Sequence, residues 1–62
     1  MNFIAGQAIY IQIAERMCDE ILADIYQADN RIPGVRDYSM LLEVNVNTTV
    51  KSYELLAQRG VL

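Results

Sequence analysis

Apolar residues recur along the first part of the chain at helical spacing. Tyr10, Ile13, Ala14, Met17, Cys18, Ile21, Leu22 and Ile25 follow the i, i+3, i+4, i+7 rule, which gathers them into one stripe of an α-helix. Glu15, Arg16, Asp19, Glu20 and Asp24 fall on the opposite, wet side. Neither Pro nor Gly interrupts the run, so the pattern predicts a helix over residues 8–25. The segment YQADNRIPG, residues 26–34, breaks the period. Asp29 and Asn30 are turn formers, and Pro33 disfavours helical geometry at Ile32. A second, shorter helix is predicted over residues 35–42, with Val35, Tyr38, Leu41 and Leu42 on its apolar side and Gly34 as a fair N-cap. After Glu43, Val44 and Asn45 a third helix is predicted over residues 46–58. Asn45 is its N-cap, with a side-chain oxygen placed to accept from the amide of Asn47 or Thr48. Gly60 closes that helix, and Arg59 sits favourably against its dipole. Val61 and Leu62 suit the beginning of a strand.

The third helix starts oddly. VNVNTTVK, residues 44–51, crowds Asn and Thr into the first turns, where they are poor interior helix formers. Two short helices joined by a turn of about three residues make the helix-turn-helix plan, whose second helix offers its N-terminal residues to base edges in the DNA major groove. Asn carries a donor and an acceptor side by side and can bond an adenine edge in bidentate fashion. Thr gives a hydroxyl to phosphate or a methyl to thymine, and a helix N-terminus offers free amides to phosphate. The same residues also gather at helix starts simply as caps, and a helical hairpin also serves as a packing unit, so spacing alone leaves the two readings level. It also leaves the buried side open. Val46, Val50, Tyr53 and Ala57 make one stripe; Thr49, Ser52, Tyr53 and Leu56 make another, with two polar members.

Composition narrows the field. The chain has 62 residues, enough for one small domain that buries only about 60% of its unfolded surface. Apolar and charged fractions are those of a globular protein. No apolar run has transmembrane length, and MNFIAGQ lacks the basic segment and long apolar stretch of a secretory signal. The single cysteine, Cys18, cannot close an internal disulfide, which fits a reducing, cytoplasmic setting. The net charge of −3 argues against a general polyanion binder, but the charge is uneven. Residues 1–30 set Arg16 against five carboxylates; residues 31–62 set Arg31, Arg36, Lys51 and Arg59 against Asp37, Glu43 and Glu54. An anion would be met by the second half.

Three ordered blocks carry a resemblance. AIYIQIAERMCDEI resembles the pattern P-I-Y-x-Q-I-x-x-x-I, NRIPGVRD resembles D-R-L-P-S-V-R-E, and VNVNTTVKSYELLAQRGVL resembles G-V-N-x-N-T-V-x-R-A-Y-x-x-L-x-x-x-G-L-I. These are the blocks of the N-terminal DNA-binding domain of GntR-family bacterial transcription regulators, matched without a gap from about Ala8 to Leu62. The resemblance implies an all-α three-helix core of a winged helix-turn-helix domain, with residues 1–62 as that domain and the wing hairpin truncated or absent. The opening Y-x-Q-I block is that of the short-tailed subfamily, and it also opens the subfamily fused to an aminotransferase-like domain. The resemblance puts Thr49, Ser52, Tyr53 and Leu56 inside and turns Val46, Asn47, Val50 and Lys51 to the groove. Arg36 matches the DNA-contacting arginine of the second helix; Asn45, Asn47 and Thr48 match the base- and phosphate-contacting start of the third. The chain departs from the pattern at Gly34, where Ser is usual, and at Ala28 and Asp29, where Pro-Gly is usual. Glu43 replaces the turn glycine, a place that favours positive φ. Thr49 replaces Val and buries a hydroxyl, expected to bond back to the Asn45 carbonyl.

The implied function is sequence-specific binding of a double-stranded DNA operator, usually for repression, by a homodimer. An effector small molecule would need a domain that these residues do not contain. The alternative reading is a helical interaction or dimerisation module without DNA binding, in which the outward face of the third helix meets protein. Other candidates are weaker. Cys18 has no histidine anywhere in the chain to activate it. Glu15, Asp19 and Glu20 read as a solvated helix face, not as cation ligands. No glycine-rich phosphate loop and no Cys/His zinc spacing occurs, so neither a cofactor, a metal nor catalysis is expected. Tyr10, Met17 and Tyr53 read as core, with the Tyr53 hydroxyl within reach of a phosphate, and Arg31 reads as structural.

Overall fold

The structure, a computed structural model, describes residues 2–26 and 32–62. Three helices follow in order: α1 Ile9–Leu22, α2 Val35–Leu42 and α3 Val46–Gln58. No strand occurs among the described residues. The expected turn formers Asp29 and Asn30, the Ala28–Asp29 departure and Arg31 all lie outside them.

α3 is the central element and packs against both α1 and α2. The core is Ile13, Ala14 and Met17 from α1, Tyr38 and Leu42 from α2, and Leu56 from α3. Phe3, Cys18, Ile21, Val44, Tyr53 and Leu55 pack around it, half-buried. On α2 the inward side is Tyr38, Ser39 and Leu42, while Leu41, expected inside, is 65% exposed. The α2 interface is narrow, and a helix of 8 residues can turn only about two turns of side chains inward.

α1 is shorter than its apolar period suggests. The periodicity continues to Ile25, but the helix ends at Leu22. Asp24 adopts a left-handed conformation at φ 57°, the Asp24 amide donates to the Ile21 carbonyl at 3.1 Å, and the Ile25 amide donates to the Glu20 carbonyl at 3.1 Å. That bond pair is a Schellman stop. It leaves Leu22 and Ile25 82% and 58% exposed. The same pair of bonds ends α2 around Glu43 and α3 around Gly60: Glu43 to Met40 and Val44 to Ser39, Gly60 to Ala57 and Val61 to Leu56. Glu43 has φ 58° and Gly60 φ 77°. The turn between α2 and α3 thus needs the left-handed backbone expected there, and a glutamate supplies it against its steric preference.

Polar groups inside this small core are all paired; among the described residues no buried side-chain donor or acceptor lacks a partner. The Gln12 side chain, 6% exposed, clamps the chain's start. Its Oε1 accepts from the Ile4 amide at 2.8 Å, and its Nε2 donates to the Ile4 and Gln7 carbonyls at 2.9 and 3.2 Å. Glu20 is not on the wet side. Its carboxylate accepts from the Tyr38 hydroxyl at 2.7 Å and the Tyr26 hydroxyl at 2.9 Å, and pairs with Arg16 at 3.2 Å. This hub ties α1 to α2. Desolvation opposes its ionisation, but the hydrogen bonds from Tyr38, Tyr26 and Arg16 outweigh that and hold the carboxyl below its ordinary value of 4.5. Burial, and then the bond to Glu20, push the Tyr38 phenol well above its ordinary range.

Two outcomes test this description. Glu43→Gly relieves the left-handed strain and should raise stability by about 1 kcal/mol, an increase in Tm of about 4–8 °C; an unchanged or lower Tm on thermal denaturation would contradict the strained turn. Because Glu20 titrates below its ordinary value in the fold, its stabilisation is full above that value and is lost as pH falls through the folded value. The stability gap between wild type and Glu20→Gln, read by urea unfolding, should therefore shrink as pH drops from neutral to below the carboxylate range. A constant gap would show that Glu20 ionisation does not support the fold.

Candidate nucleic-acid interface

Which way α3 faces is set by two hydroxyls. Thr49 and Ser52 are both 0% exposed, beside Leu56. Thr49 meets Ser39 of α2, hydroxyl to hydroxyl at 2.7 Å, and Ser39 donates to the Val35 carbonyl at 2.7 Å. Ser52 donates its one hydroxyl proton to the Tyr10 carbonyl of α1 at 2.7 Å, with the Thr48 carbonyl as a second, longer acceptor at 3.1 Å. One hydroxyl therefore docks α3 on α2 and the other docks it on α1. Of the two stripes left open by periodicity, the one through Thr49, Ser52 and Leu56 is buried. Val46 and Val50 of the other stripe stay 41% and 37% exposed, and Ala57 is exposed. The Thr49 hydroxyl does not pair with the Asn45 carbonyl as expected: Ser39 is the nearer partner, because α2 brings it to the same layer.

The outward face of α3 holds Val46, Asn47, Val50 and Lys51, all exposed. Their i, i+3 and i+4 spacings put them side by side. Thr48 is half-buried at the edge of that face. Asn45 caps the helix in the expected way, its Oδ1 accepting from the Asn47 amide at 2.8 Å. The cap uses one acceptor lone pair of Asn45; Asn45 and Asn47 are both exposed residues. Arg36 stands exposed in the first turn of α2, next to Asp37. Lys51 is not a free tether: its Nζ lies 5.4 Å from the centre of the Tyr10 ring.

Sequence reasoning missed two features here. Glu54 is exposed and, three residues after Lys51, shares the outward face; the helical spacing already contained that signal. Tyr10 is only half-buried and lines a shallow recess with Lys51, Glu54, Leu55 and Gln58. The Tyr53 hydroxyl, expected within reach of a phosphate, instead donates to the Pro33 carbonyl. It packs beside Tyr38, ring centres 6.2 Å apart, and burial pushes its phenol up to about 12. Among the described residues no group of three or more His, Cys, Asp or Glu side chains is placed to hold a metal ion. No described helix is long and apolar enough to cross a membrane.

The sequence has a relative among characterised proteins. The chain is 32% identical over 54 residues to the HTH-type transcriptional repressor YtrA of Bacillus subtilis (strain 168), a GntR-family protein. The match takes in 87% of this chain and 42% of that protein, so the chain spans less than half of its relative's length. No family model and no solved structure matches the chain. At that identity and coverage, and with a three-helix fold that suits a helix-turn-helix domain, the chain belongs to the GntR family of helix-turn-helix proteins.

Proposed function

We propose that this chain binds double-stranded DNA sequence-specifically and serves transcription regulation as a repressor, laying α3 in the major groove. One observation carries the reading: Asn47, Val50 and Lys51 are exposed together on α3, with Arg36 exposed on α2, while the polar Thr49 and Ser52 are spent on internal bonds. The repressor named among its relatives supports it.

In this reading Asn47 is the main base reader, its carboxamide free for a bidentate contact to an adenine edge, worth about 1–3 kcal/mol of discrimination. Asn45 also reads a base, with its carboxamide oxygen already accepting one bond from the helix start. Thr48 and the first amides of α3 anchor a phosphate, helped by the positive end of the helix dipole. Arg36 and Lys51 supply charge to phosphate or guanine, and Val46 and Val50 meet thymine methyls. Residues 1–62 act as the DNA-binding part of a longer cytoplasmic regulator whose wing, dimer contacts and effector site lie in other residues. Two copies then read paired half-sites, because one module of this sparse positive charge binds weakly. The role is that of a binder and not of an enzyme.

A second reading has its own support. Met40 and Leu41 are 77% and 65% exposed on α2, which suits a helical module that meets protein. The same experiment separates the two. Against a duplex enriched from a random pool, Asn47→Ala should flatten the preference at one base-pair position. Lys51→Ala should weaken binding to all duplexes alike and reduce the slope of log K against log salt by about 1. An unchanged sequence profile for Asn47→Ala would remove the base-reading role, and failure of any duplex to enrich would favour the interaction module.

A further inference from the structure

The Lys51 ammonium has a choice of partners and takes the less obvious one. Glu54, three residues further along α3, lines the same recess and has the spacing of a helical ion pair. Yet among the described residues the only ion pair is Arg16–Glu20, and the Lys51 Nζ lies over the Tyr10 ring, 5.4 Å from its centre. A ring face attracts a cation without neutralising it, so the charge stays available to an anion. Lys51 itself is exposed on the outward face of α3. The seat is firmly placed. Tyr10 is in the first turn of α1, and its carbonyl accepts from Ser52, the residue after Lys51, at 2.7 Å. Ring and lysine are thereby kept in register across the α1–α3 junction.

We infer that Tyr10 is a positioning residue for Lys51: its ring holds the ammonium on the outward face of α3 and orders it in advance for a phosphodiester oxygen. The inference rests on the DNA-binding reading for its ligand, but the seat exists without DNA. A free lysine loses much of its rotamer freedom when it grips a phosphate; a seated one has lost part of it already, and the difference appears as affinity. A ring that merely filled space would give Tyr10 no dependence on the identity of residue 51.

The test compares wild type, Tyr10→Phe, Tyr10→Leu, Lys51→Ala and the Tyr10→Leu/Lys51→Ala double variant, each checked for an unchanged helical circular dichroism spectrum. In the free protein, NMR should show the Lys51 Hε protons moved upfield by the ring current in wild type and Tyr10→Phe, and not in Tyr10→Leu. With an enriched duplex at low salt, Tyr10→Leu should lower affinity about two- to fivefold, Tyr10→Phe should stay near wild type, and Tyr10→Leu should have no further effect once Lys51 is alanine. Ordinary Hε shifts in wild type would overturn the seat. An equal loss from Tyr10→Leu with and without Lys51 would reduce Tyr10 to packing. A ring-current shift in a protein that binds no duplex would leave the seat standing, while overturning both its phosphate ligand and the DNA reading on which that ligand depends.

Discussion

The rotation of α3 about its own axis decides what this domain can touch, and two buried hydroxyls decide the rotation. Thr49 and Ser52 sit on the inward side of α3, where a hydroxyl left without a partner costs about 1–3 kcal/mol. Each finds its partner on a different neighbour, Ser39 of α2 and the Tyr10 carbonyl of α1. Turning α3 by one residue, about 100°, would break both bonds. With six buried apolar residues in the core among those described, shape alone specifies little. The polar contacts supply the uniqueness that a larger core would obtain from packing. Burying Thr49 and Ser52 also requires that Asn47, Val50 and Lys51 face out. The interior bonds and the candidate interface are two sides of one helix orientation.

The remaining contacts hold α1 and α2 where α3 needs them. Glu20 gathers Tyr38, Tyr26 and Arg16 and links the two helices that flank α3. Gln12 fastens the segment before α1 through the main chain of Ile4 and Gln7. Every helix stops by the same bond pattern. At two of the three stops the left-handed residue is acidic, Asp24 and Glu43. In each case the left-handed residue is what lets the two closing bonds form, Asp24 to Ile21 with Ile25 to Glu20, and Glu43 to Met40 with Val44 to Ser39.

Much of this was legible in the sequence. The bounds of α2 and α3, the Asn45 cap and the Gly60 stop follow from local chemistry, which neighbouring residues report directly, whereas the left-handed place at Glu43 came from the family pattern, since a glutamate itself gives no such signal. Where the reading fell short, the cause is tertiary. Period alone carried α1 to Ile25, because nothing in an apolar stripe announces that the backbone turns at Asp24. Glu20 looked solvated, since its Tyr38 partner is 18 residues away and spacing within one helix cannot reveal it. Gln12 lay between apolar neighbours and gave no sign of clamping Ile4. The inward side of α3 could not be chosen by hydrophobicity, because the side that is buried is the more polar one; only the family pattern pointed to it. Tyr10 passed for core because its stripe position is apolar, while its ring faces a lysine on another helix.

The proposed DNA contact at this face would rest on a sparse charge set, so the pattern of contact is more telling than the strength of binding. The most direct measurement is the map of amide and methyl NMR shift changes when the protein is titrated with a duplex enriched from a random pool. The account predicts that changes concentrate at Asn45–Lys51 and at Arg36, with Thr49, Ser52 and Leu56 affected only through their neighbours. Changes centred on Met40, Leu41, Leu22 or Ile25, with the start of α3 silent, would contradict it.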